Sequence, residues 1–286
     1  VDPPTADEVE AVLAGADVVV VENLCSLPLN PAAASVVAAA LRGRPAVLHH
    51  HDLPWQRPHL ADRPGPPDDP AWRHVTINEL SRRQLADRGI DAVTVYNAFD
   101  VDPPPGRREV TRAALGLAAS DRLVLQPTRA LARKNIAAGL ALAEAAEATY
   151  WLLGPAEDGY GPELDRLLAG ARGPVRHGVP PGTTGPVTMV DAYAAGDAVV
   201  LPSTWEGFGN PTVESAVHRR PLAVGWYPVA RELATFGFRW FDAADPRSLA
   251  GWFDRPDPDV VVQNAAVARA HFSLADLPGR LAGLLG

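Results

Sequence analysis

The segment Ala198-Val199-Val200-Leu201-Pro202-Ser203-Thr204-Trp205-Glu206-Gly207-Phe208-Gly209-Asn210-Pro211-Thr212-Val213-Glu214 decides the fold. Its four apolar residues read as a short buried strand. Gly207 and Gly209 allow a ligand to approach the backbone closely. Pro211 suits the first turn of a helix, where its missing N–H costs nothing. Strand, loop and helix make one βα unit, and open α/β sheets bind ligands at the carboxyl ends of their strands. The unpaired N–H groups and positive dipole end of the helix then face an anion. Glu206 on the loop and Glu214 one turn into the helix are expected to project into one cleft. A carboxylate beside sugar hydroxyls is ordinary chemistry, so this pattern suits a phosphorylated, hydroxyl-rich ligand.

The same alternation runs outward in both directions and predicts a mainly parallel sheet. Toward the N-terminus, strands are expected at Asp17–Val21 (buried on both faces), Pro45–His50, Val75–Ile77 and Ala92–Tyr96, with helices at Ala32–Leu41 and Glu79–Ala86 and a surface loop over Arg57–Pro70. Pro103-Pro104-Pro105 is stiff and extended, and marks a domain boundary. The pattern restarts with strands at Leu123–Gln126, Thr149–Leu153, Val175–Val179, Ala198–Leu201 and Pro221–Val224, and with helices between them. The expected domains are 1–102, a partial Rossmann-like domain; 103–265, a complete doubly wound one; and 266–286, a helix returning to the first.

After the Leu123 strand comes Thr128-Arg129-Ala130-Leu131-Ala132-Arg133-Lys134-Asn135. Arg129 and Lys134 flank a loop before a helix and read as a diphosphate clamp, a forked guanidinium and a compact ammonium. Lys134 is the only lysine among 26 basic residues. A composition rich in Arg, Ala, Gly and Pro resembles the coding bias of a GC-rich bacterial genome, and such bias would still let a lysine survive where arginine cannot serve. The net charge of −8 disfavours nucleic acid and anionic membranes as partners. No window reaches the roughly 18 uncharged apolar residues of a membrane span, so membrane contact is expected to be peripheral at most and the location cytoplasmic. The single Cys25 excludes an internal disulfide framework.

Jointly these motifs resemble glycosyltransferase family 4, the retaining GT-B group of nucleotide-sugar transferases. Pro-Ser-x-x-Glu-Gly-Phe-Gly-x-Pro-x-x-Glu, with seven residues between Glu206 and Glu214, resembles its signature. Asp191 to Asp197 resembles the segment preceding that strand. Thr128-Arg129 through Lys134-Asn135 resembles its Gly-Arg…Lys-Gly loop, with Thr128 and Asn135 in place of the glycines. Tyr96 to Asp100, Asn78 to Arg83 and Phe272-Ser273 resemble its interdomain, Ser-Glu-x-Ser-Arg and crossing segments.

The resemblance implies two Rossmann-like domains facing a cleft. Glu214 would hold the ribose hydroxyls, and Glu206 the hydroxyls of the transferred sugar. Backbone amides of Phe208, Gly209 and Asn210, with Gly207 and Thr128 beside them, would face the sugar and diphosphate. Arg129 and Lys134 would neutralise the leaving group, and His51 would reach the donor sugar. The acceptor would be a hydroxyl of a glycan, glycolipid or secondary metabolite, with no cofactor and no metal. A nucleotide-sugar 2-epimerase or a non-catalytic nucleotide-sugar-binding protein is the alternative.

His49-His50-His51-Asp52 is the other unusual run. Adjacent strand residues point to opposite faces, so the three histidines do not all reach one metal; His51 is expected to be functional, and His49 and His50 to pack or face the acceptor, in preference to the alternative of a metal site, with Trp55, Gln56 and Arg57 lining that side. The only methionine is Met189, which predicts a start upstream of Val1. The opening strand and glycine-rich loop usual in the family's first domain are missing here, and the first domain is therefore expected to be N-terminally incomplete.

Overall fold

A computed structural model of the chain describes residues 2–27, 29–180 and 186–285. It divides into two compact units, residues 1–97 with 276–286, and residues 98–275. The proline run at 103–105 therefore lies inside the second unit.

The first unit contains α1 (Ala6–Leu13), β1 (Val19–Glu22), α2 (Pro31–Leu41), β2 (Ala46–His50), β3 (Trp72–Thr76), α3 (Glu79–Ala86) and β4 (Ala92–Thr94). Its four strands are parallel, in the order β1-β2-β3-β4. Side chains alternate along β2 with the strand period of two. Ala46 and Leu48 join Trp72 and Leu41 in one cluster. Val47 joins Val75 and Val95 in another, which the C-terminal Leu277, Leu281 and Leu284 cover. The short strand β1 corrects the expectation of a strand buried on both faces. It lies at the edge of the sheet, with Val18 37% and Val20 53% exposed. Only Val21 turns fully inward, because an edge strand has a neighbour on one side alone. Strand β3 begins at Trp72, ahead of the expected Val75, since the indole N–H donates to the Leu41 carbonyl at 3.1 Å and seals that residue in the core.

The second unit contains α4 (Arg108–Ala114), β5 (Leu123–Gln126), α5 (Ile136–Ala145), β6 (Thr149–Leu152), α6 (Gly161–Ala169), β7 (Val175–His177), α7 (Met189–Ala195), β8 (Ala198–Leu201), α8 (Pro211–Val217), β9 (Leu222–Val224), α9 (Pro228–Ala234), β10 (Phe241–Asp242), α10 (Ser248–Asp254) and α11 (Pro258–His271). The last helix, α12 (Leu277–Leu285), belongs to the first unit. Six parallel strands run in the order β10-β9-β8-β5-β6-β7. This is the doubly wound order, and the winding reverses between β5 and β8. Every residue of β5, β6, β8 and β9 is buried, as parallel strands covered by helices on both faces must be. Arg107 fastens the start of α4 to α7: its guanidinium and backbone N–H both donate to the buried Asp191 carboxylate, which also caps α7 through Thr188.

Candidate functional site

The reversal between β5 and β8 leaves two loops side by side, 127–135 and 202–210. Gln126, the last residue of β5 and fully buried, organises the first. Its amide donates to the Lys134 carbonyl at 3.0 Å and to Thr128 Oγ1 at 3.3 Å, while Tyr150 donates to its oxygen at 2.7 Å. Thr128 is thus turned inward as a structural acceptor. Gly154 closes against this loop; a Cβ there would lie 2.7 Å from the Thr128 carbonyl. Residues 132–134 form one 3₁₀ turn, ended by Asn135 in the left-handed region at φ 49°. Asparagine tolerates that conformation nearly as glycine does, which explains how it stands where the resemblance has glycine.

In the second loop Gly209 is required. Its φ is 86°, and a Cβ would meet Tyr227 Oη at 2.0 Å. That hydroxyl donates to the Phe208 carbonyl, and the Thr212 hydroxyl donates to the Gly209 carbonyl at 2.8 Å. Phe208 is buried against Phe99 and Phe272. The two loops are tied directly by a Thr204 N–H to Arg133 carbonyl bond of 2.9 Å.

Across this seam Lys134 Nζ donates to Glu206 Oε1 at 2.5 Å. Both side chains are close to fully buried, 11% and 9% exposed. Burial pulls the Lys134 ammonium below its ordinary range, and the facing Glu206 carboxylate opposes that shift. The proposed leaving-group cation and the proposed sugar-holding carboxylate therefore neutralise one another. Arg129 is more open, 55% exposed, and pairs with Glu157 at 2.6 Å.

Glu214 lies one turn into α8. It accepts from Tyr193 at 2.7 Å, and burial raises its carboxyl above the usual range. With Tyr193, His218, Met189 and Phe99 it lines a cavity of about 240 Å³ that excludes Glu206, Lys134 and Arg129. Tyr193 stacks on His218 at 4.8 Å. Its role was not read from the sequence, although its position on α7 before the signature strand pointed toward this place.

In the first unit, His51 is half exposed and its Nε2 lies 2.8 Å from Glu22 Oε2. Its backbone N–H donates to Asn23 Oδ1. His50 takes the opposite face and is fully buried, bonded to Ser26 at 2.5 Å and to His74 at 2.8 Å. Burial holds it neutral, with a pKa of about 3. Trp55 and Gln56 bond to Gln84, and Arg57 pairs with Asp52; these contacts fasten the loop to α3 and to itself.

The fold matches solved structures over nearly the whole chain. Superposition on the Anabaena protein HepE, solved with UDP and glucose, gives a TM-score of 0.75 over 98% of this chain and 80% of that one, at 21% identity. Sucrose-phosphate synthase from Thermosynechococcus elongatus gives 0.72 over 98% and 76%, at 15% identity. The fold is GT-B.

By sequence, the chain is 27% identical over 265 residues to mannosylglucosylglycerate synthase of Thermotoga maritima, covering 80% of this chain. It is 26% identical over 276 residues to the same enzyme of Petrotoga mobilis, covering 78%. The chain spans 62% of the length of both curated relatives. No family model matches the sequence. Among the described residues of this GT-B chain, no helix is long and apolar enough to cross a membrane.

Proposed function

We propose that the chain carries the donor-binding and transfer machinery of a retaining, metal-independent glycosyltransferase of family 4 type. It would move a sugar from a nucleotide diphosphate to a hydroxyl acceptor. The observation that supports this reading above the others is the buried Lys134–Glu206 pair at the carboxyl ends of β5 and β8. A buried ion pair is a weak source of stability, because desolvation offsets most of its attraction; its value here lies in what replaces it. A donor diphosphate takes Lys134 as its counter-ion, and the released Glu206 accepts hydrogen bonds from sugar hydroxyls. Donor binding thereby exchanges one satisfied pair for two.

As the bond to phosphate breaks, the anomeric carbon becomes cationic and the diphosphate gains charge. Lys134 and Arg129 meet that developing charge more strongly than the ground state. In the retaining, front-face course the leaving phosphate accepts the acceptor's proton, so no enzyme nucleophile is required. Glu214, held by Tyr193, supplies an acceptor for the nucleotide's ribose hydroxyls, while the backbone of Gly207, Phe208, Gly209 and Asn210 borders the sugar and diphosphate. The names and bound ligands of the similar proteins, UDP and UDP-glucose among them, make a uracil nucleotide the first donor to test.

The test incubates the protein with UDP- and GDP-linked hexoses and candidate acceptors, and follows nucleotide release and the anomeric configuration of the product. Lys134→Ala is expected to lower kcat/KM by roughly 10²–10³. An unchanged rate removes Lys134 from the leaving-group role, and an inverted product removes the retaining course.

A further inference from the structure

The parallel register of the first sheet pairs Glu22 with His49. Paired residues on adjacent strands share a face, and His51 lies two positions beyond His49, so the strand period returns it to that face. Glu22, the last residue of the edge strand β1, consequently sits between two imidazoles. One of its carboxylate oxygens lies 2.9 Å from His49 Nδ1 and 2.8 Å from His51 Nε2. The three donor atoms fall within 4.8 Å of one another. His50, by contrast, has both ring nitrogens committed on the opposite face, and Asp52 is paired with Arg57.

From this convergence we infer a divalent metal site formed by Glu22, His49 and His51, of the zinc class. Two imidazoles and one carboxylate are the donor set of zinc and its transition-metal neighbours; magnesium and calcium prefer all-oxygen shells. Bonds of about 2.0–2.1 Å to tetrahedral zinc set its donors roughly 3.3–3.4 Å apart, so each imidazole nitrogen draws back about half an ångström from the carboxylate oxygen, while the two nitrogens already lie within 4.8 Å of one another. The half-exposed Glu22 and His51 leave an approach for the ion and a fourth position for water. A bound ion takes the place of the two imidazole–carboxylate hydrogen bonds, each neutral ring then carrying its proton on the nitrogen that does not ligate, and it fastens the end of β1, held along one edge only, to the loop after β2. It also engages the imidazole that the family resemblance implies for the donor sugar, so the metal site and that implied role of His51 exclude one another.

The test is zinc binding to the intact chain without any donor, which keeps its result independent of the transfer reading. Calorimetry or equilibrium dialysis should give one Zn²⁺ per chain, and Co²⁺ should give the intense visible absorption of a tetrahedral site. Zn²⁺ should also raise Tm, as any ligand specific to the folded state does. Glu22→Gln, His49→Ala and His51→Ala should each weaken binding at least about tenfold, the effect seen even for residues that merely support a metal's ligands. His59→Ala, which alters an exposed histidine elsewhere in the unit, should bind as the unmodified chain does. Absence of binding by the unmodified chain, or equal affinity in the three ligand variants, overturns the site. Circular dichroism and metal-free Tm of the variants establish that they are folded.

Discussion

The carboxyl ends of the two sheets hold two clusters of the same kind, a glutamate against a basic side chain, in opposite surroundings. Glu206 meets Lys134 between strands buried along their whole length, with about a tenth of each side chain exposed. Glu22 meets His49 and His51 at the end of an edge strand, and is itself 58% exposed. Water screens the second cluster and not the first. An exposed pair contributes about 0–1 kcal/mol, whereas removing one partner of a buried pair leaves an uncompensated charge and costs about 3–5 kcal/mol. The buried pair is therefore held fixed by its surroundings, as the proposed exchange for a donor anion requires, and the exposed cluster is adaptable, as the inferred ion site requires.

Lys134→Met breaks the comparison most severely. Stranding Glu206 should cost about 3 kcal/mol of unfolding free energy by urea titration. The double variant Lys134→Met with Glu206→Gln should recover most of that loss, since no buried charge remains. Additive losses would mean that the two groups are not coupled. Asp191 is the buried carboxylate to compare with Glu206, because it caps a helix as well as pairing with Arg107. Its bonds to Arg107 hold it well below the usual carboxylate range, and Asp191→Asn should cost about 2 kcal/mol.

His218 tests burial by pH. Burial, with Arg220 nearby, lowers its pKa from 6.5 to about 4. The unfolded chain takes up this proton near pH 6.5 and the folded chain only near pH 4, so stability should fall as pH drops through that window and level off below it. The loss attributable to this residue is at most about 3 kcal/mol, less what solvent screens at this partly exposed ring. It should disappear in His218→Phe, which keeps the stack on Tyr193; equal pH slopes in the two proteins would refute it. At the small end, Glu22→Gln without metal should change stability by less than about 1 kcal/mol, and a larger loss would show that the exposed cluster is not screened.

Most of the second unit could be read in advance from local pattern. The strands at 123–126 and 198–201 and the helix start at Pro211 follow from short apolar runs, glycines and a proline, all signals carried within a few residues. The edge position of β1 could not, because four valines in a row look alike whether one neighbour or two lie beside them. The bonds of Glu214 to Tyr193 and of Glu206 to Lys134 were equally out of reach, since each joins residues on different elements. Glu22 left only a partial signal: the spacing of His49 and His51 puts them on one face, but their third partner comes from another strand.

The chain of residues, read alone, determined the alternation of strands and helices, the loops able to hold a ligand and the residue types stationed on them, because backbone preference and burial period act over short stretches. Tertiary structure alone decided which of those residues meet, which charges are buried and which strand is left at an edge. Those outcomes depend on register and packing between segments distant in sequence, where no local preference acts.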